Sequence, residues 1–183
     1  ALVRRDYRLN GNTEIMYDGE LSTVQAIQNA SKAWIYGFEA GIEINFTDQL
    51  KLQSQYNVIG GTEDNEGVEA PIRHVAPNFG RTHLIWKKDK FLLDAFLIYN
   101  NALSFNQLAP SEISKDYLYA SDKDGNPYAP SWHTLNIRTQ YRYNDKLSIT
   151  ASLENITDQR YRPYSSGISA AGRNLILALK YSL

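Results

Sequence analysis

The sequence predicts an all-β chain, a segment of about eight strands from an antiparallel, up-and-down transmembrane β-barrel. Three observations predict it. The last twelve residues place Leu175, Leu177, Leu179, Tyr181 and Leu183 on every second position, with Asn174, Ile176, Ala178, Lys180 and Ser182 between them, so a strand sorts the two sets onto opposite faces. In water, an apolar strand at the chain end would be an open template for aggregation; a closed barrel with lipid outside and polar groups inside removes that edge. The connections between strand-like stretches alternate long and short, as in a barrel with tight turns on one side of the membrane and long loops on the other. Thirteen Tyr and three Trp stand against six Phe, and Tyr and Trp are the aromatic residues that favour a membrane interface.

With 183 residues the chain has the length of one ordinary domain or somewhat more. A net charge of −1, with 21% charged residues, excludes a strongly basic nucleic-acid binder. No stretch has the length of apolar sequence that a transmembrane helix needs, which leaves a barrel open because its strands hide their hydrophobicity in alternation. Cysteine is absent, which excludes a disulfide scaffold and thiolate metal sites and agrees with an exported bacterial protein. The chain opens at Ala1 without an initiating Met or a signal peptide, so it is expected to be a fragment from inside a longer protein.

Residues 1–7 read as the end of a strand, followed by a polar loop through Asn10-Gly11-Asn12-Thr13 and Asp18-Gly19-Glu20. In a strand of about 24–47, Trp34, Tyr36, Phe38, Ala40, Ile42, Ile44 and Phe46 alternate with a mostly polar set that includes Glu39, Gly41, Glu43 and Asn45. Asp48-Gln49 turns tightly into a strand of about 49–59, where Leu50, Leu52, Tyr56 and Val58 oppose Lys51, Gln53, Gln55 and Asn57. From Gly60 to Pro71 an acidic, glycine-bearing loop is expected. A strand of about 72–87 then reaches the short turn Lys87-Lys88-Asp89-Lys90, and the next, about 90–100, shows Phe91, Leu93, Ala95, Leu97 and Tyr99 on one face with Asp94 opposite. The longest loop runs from Asn101 to Ser131 and carries Pro110, Asp124-Gly125-Asn126-Pro127 and Pro130. Strands of about 132–144 and 146–156, joined at Asn144-Asp145-Lys146, alternate in the same way, and a last loop of about 157–171 precedes the strand at 172–183.

This order puts the turns at Asp48, Lys88 and Asp145 on the periplasmic side with Leu183, and the long loops on the outside. Phe46, Trp86, Phe91 and Tyr143 flank the short turns, while Tyr36 and Tyr99 lie about ten residues away, the length of a tilted spanning strand. Two aromatic belts follow. The alternative is a soluble antiparallel sandwich with the aromatic residues in its core, and the regular alternation of connections speaks against it.

The candidate chemistry is sparse. His74, His83 and His133 share no short ligand spacing, so no metal site is expected. Asp122-Lys123-Asp124-Gly125-Asn126 has the alternate acids of a calcium loop, but its glycine comes too early and no Glu follows at the required distance, which makes it a plain turn. Ser, His and Asp occur without a nucleophile elbow or a paired motif, so no catalytic residue is assigned and the chain reads as no enzyme. Glu39, Glu43, Lys51, Asp94, Arg138, Arg142 and Glu154 fall on the inward row, where charge requires water or a partner. They either pair to fill a small barrel or line the wall of a wider one, and the narrow interior of an eight-stranded barrel favours the second. On the longest loop and its flank, Tyr117, Tyr119, Tyr128 and Trp132 offer large amphipathic surfaces, to pack the loop or to contact a ligand.

Tyr36-Gly37-Phe38-Glu39, the block Leu153-Glu154-Asn155-Ile156-Thr157-Asp158-Gln159-Arg160-Tyr161, and Ala171-Gly172-Arg173 at the start of the final strand together resemble the carboxyl-terminal barrel of TonB-dependent outer-membrane receptors. The long loop, from Leu108-Ala109-Pro110-Ser111 through Gly125-Asn126-Pro127-Tyr128 to Trp132-His133-Thr134-Leu135-Asn136, resembles the Bacteroidetes-type version. The resemblance covers essentially the whole chain and is most specific from Asn155 to Arg173. Leu183 departs from the Phe that many outer-membrane proteins carry at this end. The resemblance implies eight strands of a roughly 22-stranded barrel in the outer membrane of a Gram-negative bacterium. It implies a receptor that binds a scarce ligand, such as ferric siderophore, haem, cobalamin or a glycan, and imports it with TonB coupling through a plug not visible in this sequence. Within that family His133 is the loop histidine best placed for haem, no resident cofactor is expected, and the partners are outer-membrane lipid, the TonB system and a small-molecule or glycan ligand. Arg173 is placed either to hold the preceding loop or to touch ligand. The competing reading is a small complete barrel serving as anchor or adhesin.

Overall fold

A computed structural model of the chain describes residues 2–6, 8–29, 32–65 and 67–182. They form two compact units, one of residues 1–35 with 61–72 and one of 36–60 with 73–183. No helix among the described residues is long and apolar enough to cross a membrane.

In the first unit, β1 (Leu2–Asp6) pairs antiparallel with β4 (Gln25–Asn29), and β2 (Glu14–Tyr17) pairs with β3 (Glu20–Thr23). The second hairpin stands where the sequence suggested only a polar loop. Its two-residue connection, Asp18-Gly19, has φ of 50° and 82°, the left-handed pair that matches the twist of a tight hairpin. Ala30 and Ser31, where one strand of 24–47 was expected to run through, lie outside the described residues, as does Leu183; β5 (Lys32–Asn45) follows.

The strand β6 (Leu50–Asn65) also runs further than expected. It continues through Gly60-Gly61 and returns as β7 (Val68–Pro71), with Thr62 opposite Pro71 and Asn65 opposite Val68. Asp64 Oδ1 accepts the Gly67 amide at 2.6 Å to hold the turn. Glycines weaken a strand because they pack nothing, but the Tyr36 ring covers Gly60 so closely that a Cβ there would lie 2.6 Å from the phenol. An aromatic ring laid over a strand glycine restores the missing contact.

In the second unit the sheet runs in the order β14 (Asn174–Tyr181), β13 (Leu147–Glu154), β12 (Trp132–Arg142), β9 (Phe91–Asn100), β8 (Phe79–Lys88), β6 and β5. Neighbours in the sheet are neighbours in sequence, the up-and-down order the alternation of connections predicts. β8 begins at Phe79 and not near 72. His74, with φ of 64°, and Pro77, which lacks an N–H, keep residues 73–78 out of the ladder.

Register fixes the faces. Leu52, Leu84, Ala95, Ile137, Leu153 and Leu175 fall into one lateral row, and Phe96, Asn136 and His83 into an adjacent one on the other side. On the apolar face Phe38 is 68% exposed, Leu177 72% and Leu179 69%; an apolar surface this continuous belongs against lipid. Aromatic side chains gather at its ends. Trp86, Phe91 and Tyr141 form a chain with ring centroids 6.1 and 6.5 Å apart beside the short turns, and Tyr56 stacks on Tyr99 at 6.2 Å near the other end. Tyr99 lies directly across from Gly80, so close that a Cβ on Gly80 would sit 2.5 Å from its hydroxyl and 2.6 Å from the Gln55 carbonyl oxygen.

The polar face is knitted side chain to side chain. Glu39 accepts from Gln55 at 2.6 Å, Arg81 Nε donates to the Gln55 amide oxygen at 3.0 Å, and Lys51 lies 3.6 Å from Glu43. The His83 Nδ1 and Asp94 are 3.0 Å apart, and Arg138 stands over the Phe96 ring at 5.5 Å.

Two substitutions test this assignment by urea titration of the refolded protein in lipid vesicles. Leu177→Arg should lower stability by about 2–4 kcal/mol, against less than about 0.5 kcal/mol for Ala178→Ser on the other face; equal tolerance would mean the faces are exchanged. Gly80→Ala should lose about 1–3 kcal/mol, because the new methyl group must displace the Tyr99 ring and a backbone carbonyl. A neutral effect would show that Tyr99 moves aside freely.

Candidate functional site

The longest loop folds on itself. A 3₁₀ turn (Phe105–Gln107), a single helical turn (Pro110–Ile113), a second 3₁₀ turn (Asp116–Leu118) and the short ladder β10 (Ala120–Ser121) with β11 (Pro127–Tyr128) follow in order. Leu103 and Ala129 exchange two backbone hydrogen bonds of 2.9 and 3.0 Å, which draws the two arms of the loop together. Beneath them Leu108, Tyr119 and Ala129 are buried against Leu103, Ile113, Leu118 and Tyr164. Asp122 is the pivot of a tight turn. Its Oδ1 accepts the amides of Asp124 and Asn126 at 2.9 and 2.8 Å, and those hydrogen bonds hold its carboxyl below the ordinary range. Among the described residues no cluster of acids and histidines is arranged to hold a metal.

One carboxylate joins this loop to two others. Glu112 is fully buried; it accepts hydrogen bonds from Arg73, from the Tyr119 hydroxyl, from Lys115 at 3.2 Å and from Ser165 at 3.2 Å. Burial alone would raise its pKa, but the donors from Tyr119, Lys115 and Arg73 outweigh that and hold the carboxyl below its ordinary value of 4.5. Burial, then the hydrogen bond to Glu112, pushes the Tyr119 hydroxyl up. Burial and the same negative charge raise Tyr164.

The block Asn155 to Arg173 latches the last loop. Asn155, with φ of 47°, donates its amide to Asn136 Oδ1 at 2.9 Å, while its side chain donates to the Gln159 and Ala171 carbonyls at 2.9 and 3.2 Å and accepts the Gln159 amide at 3.0 Å. Asp158 Oδ1 accepts the Arg173 amide at 2.7 Å, and Arg173 Nε donates to the Ile156 carbonyl at 3.0 Å. Tyr161, three residues beyond Asp158, stacks on Trp132 with centroids 4.2 Å apart. The spacing Asn155, Asp158, Tyr161 therefore has three mechanical roles: close the end of β13, tie it to the start of β14, and lay an aromatic ring on β12.

Between the two loops lies a cavity of about 260 Å³ whose wall includes Tyr119, Trp132, Arg160, Tyr161, Arg162 and Tyr164. Of the residues expected to contact ligand, Tyr119 and Trp132 reach it. Tyr119 does so from the buried loop core, with its hydroxyl engaged by Glu112. Tyr128 is half-buried in β11, opposite Ala120. Tyr117 is exposed, and its carbonyl accepts Arg162 Nη1 at 3.1 Å. His133 falls on the row of Leu135 and Ile137, opposite Tyr99, on the side of β12 away from Trp132; its backbone amide donates to Gln159 Oε1 at 3.3 Å. Glu39, Glu43, Arg138 and Arg142 lie on the polar face, Arg142 across from Ser148, and Arg173 is drawn to the last loop. Arg73 and Glu112 gave no sign in the sequence. Arg160-Tyr161-Arg162-Pro163-Tyr164 did, as a loop segment alternating cation and ring.

The pattern that defines the TonB dependent receptor-like β-barrel matches residues 5–156. No curated protein matches the chain. Among solved structures it is similar to the copper transporter OprC, at 16% identity and a TM-score of 0.70 over 87% of this chain and 24% of that one. It is similar to the ferric enterobactin receptor PfeA of Pseudomonas aeruginosa, at 14% identity and a TM-score of 0.63 over 88% of this chain and 24% of the other. The siderophore receptor PiuA of Acinetobacter baumannii gives 16% identity and a TM-score of 0.54 over 97% and 27%. At these identities the likeness is one of fold, and the chain spans about a quarter of each.

Because Glu112 ionises more readily folded than unfolded, its contribution is complete above its ordinary value of 4.5 and is lost as pH falls through the lower folded value. Protection of the loop amides from Leu108 to Ala129, measured by hydrogen exchange and corrected for intrinsic rate, should therefore drop on acidification below that value while strand amides stay protected. Glu112→Gln should lose on the order of 1–3 kcal/mol of that protection at pH 7 and flatten the acid dependence. An unchanged acid profile in the variant would remove Glu112 as the clamp.

Proposed function

We propose an import role from the premise that the chain belongs to the TonB-dependent receptor-like β-barrel family. It is part of a barrel in the outer membrane of a Gram-negative bacterium. In this reading the whole receptor binds a scarce extracellular ligand, a siderophore-bound iron, haem, a cobalamin or a glycan, and imports it through the barrel. Coupling to TonB acts through a plug whose residues are not among those of this chain. Relatives of the fold named as a siderophore receptor and a ferric enterobactin receptor support the siderophore member of that set.

One observation carries the reading on this chain: two long connections are packed into a single cap at one end of the sheet, around a cavity, while the opposite end has only tight turns. Binding residues concentrate on long loops held by a rigid scaffold. Trp132 and its partner Tyr161 would meet the ligand, exposed Tyr117 would extend that surface, and Tyr119 and Tyr128 would hold its shape. Glu39, Glu43, Arg138 and Arg142 would face the lumen, where their charges meet water or the plug. His133, on the other side of its strand, would ligate haem only after a change of side-chain direction.

Amine labelling of intact cells should modify Lys123 in the cap and spare Lys88 in a short turn; the reverse would invert the topology. Deleting residues 111–126 should abolish uptake of the receptor's ligand, surveyed with labelled ferric siderophores, haem and cobalamin. A heat-resistant barrel should remain, because loops outside the membrane add little to strand pairing. Normal uptake after the deletion would take this loop out of the binding site.

A further inference from the structure

We propose that the cavity between the two long loops binds a small planar aromatic anion, an arylcarboxylate held by ring stacking and by Arg160 and Arg162. The proposal rests on the import reading only for its purpose in the cell; the chemistry of the site stands by itself.

The charge of the wall sets the charge of the occupant. Arg160 and Arg162 line the cavity, and among the described residues no carboxylate does. Arg162 uses one nitrogen on the Tyr117 carbonyl, at 3.1 Å, and the rest of its guanidinium fork has no partner among the described residues. A guanidinium fork matches a carboxylate in two parallel hydrogen bonds and also stacks on rings. The neighbouring acid, Glu112, is already surrounded by four donors behind Tyr119, so it draws neither arginine away.

The walls set the shape. Trp132 and Tyr161 are stacked at 4.2 Å with 27° between their planes, offering a flat, rigid aromatic surface in the cavity wall. Pro130 and Pro163 line the cavity as well, adding apolar surface with no backbone donor to satisfy. At about 260 Å³ the space is just below the roughly 300–1,000 Å³ of pockets that take drug-sized molecules, which suits a single ring with its acid group.

The test is calorimetric titration of the intact receptor with benzoate, benzamide and cyclohexanecarboxylate. Benzoate should bind saturably, and benzamide about tenfold more weakly, as for the loss of a charge-assisted hydrogen bond. Cyclohexanecarboxylate, which cannot stack, should also bind more weakly. Arg160→Gln should weaken benzoate about tenfold and leave benzamide unchanged. Equal binding of benzoate and benzamide, no saturable benzoate binding, or an Arg160→Gln receptor that binds benzoate normally would each overturn the proposal. The ligand comparison on the unaltered receptor decides the matter if the variant fails to fold. Import measured on the same preparation separates the two readings. Absent benzoate binding in a receptor that imports its ligand removes this site alone, whereas arginine-dependent binding in a receptor that imports nothing supports the site and removes the import role.

Discussion

Hydrocarbon offers no partner to a peptide group, and most of this structure follows from that. Each backbone N–H and C=O at membrane depth must pair with a neighbouring strand, so the chain can cross only as a continuous ladder. From β5 to β14 it does so without a crossover. Once the ladder is fixed, period-two geometry leaves no freedom in the faces: Leu153 opposite Leu175 forces Ser152 opposite Ile176 and Glu154 opposite Asn174. A shift of one residue would turn every leucine of β14 to the polar side. Register is thus set by the solvent on each side of the sheet, and the tight turns need only be short enough to preserve it.

Above the membrane the constraint relaxes, and the chain changes its means of holding shape. The cap has a small apolar core of Leu108, Tyr119 and Ala129, too few residues to order some fifty residues of loop by burial alone. Polar side chains with fully satisfied hydrogen bonds make up the difference. Asn155 makes four hydrogen bonds through its backbone amide and side chain that span β12, β13 and the approach to β14; Glu112 gathers donors from three separate segments. Such groups are strong only as a set, because removing one donor leaves a buried lone pair or charge behind. The cap is therefore specific in shape and sensitive to single polar changes, while the sheet beneath it tolerates substitution wherever the sign of the face is kept, except at glycines such as Gly60 and Gly80 that a ring covers.

What could be read from the sequence divides along the same line. Strands β5, β6, β9, β12, β13 and β14 announce themselves because lipid on one side and water on the other write a period of two into the residues. The Asp18-Gly19 hairpin carried the usual turn signal, but Glu14–Tyr17 and Glu20–Thr23 alternate poorly and read as loop. Gly60-Gly61 read as a break because the ring that covers Gly60 belongs to Tyr36, on another strand, and no local pattern reports a contact of that kind. Glu112 was invisible for a related reason. A lone glutamate in a polar loop looks solvated, and its donors Arg73 and Ser165 lie 39 and 53 residues away. Of the aromatic residues named as ligand contacts, sequence could mark the loop but not separate Tyr119, whose hydroxyl is committed to Glu112, from Trp132, whose ring lies in the cavity wall.

The two layers meet at Trp132, which is both the first residue of a spanning strand and part of the cavity wall. Its backbone is held in the ladder opposite Asn100, and its ring is held by Tyr161 from the last loop. Tyr161 in turn is placed by the turn that Asn155 and Asp158 build at the end of β13. The part of the wall that Trp132 forms thus takes its position from the sheet, whose register lipid enforces, whereas the part that the last loop forms takes its position from the polar latches of the cap. The constraint that fixes the strands and the contacts that shape the cavity thus share only the few residues at the rim, so loop substitutions can alter the cavity wall without disturbing the strand register.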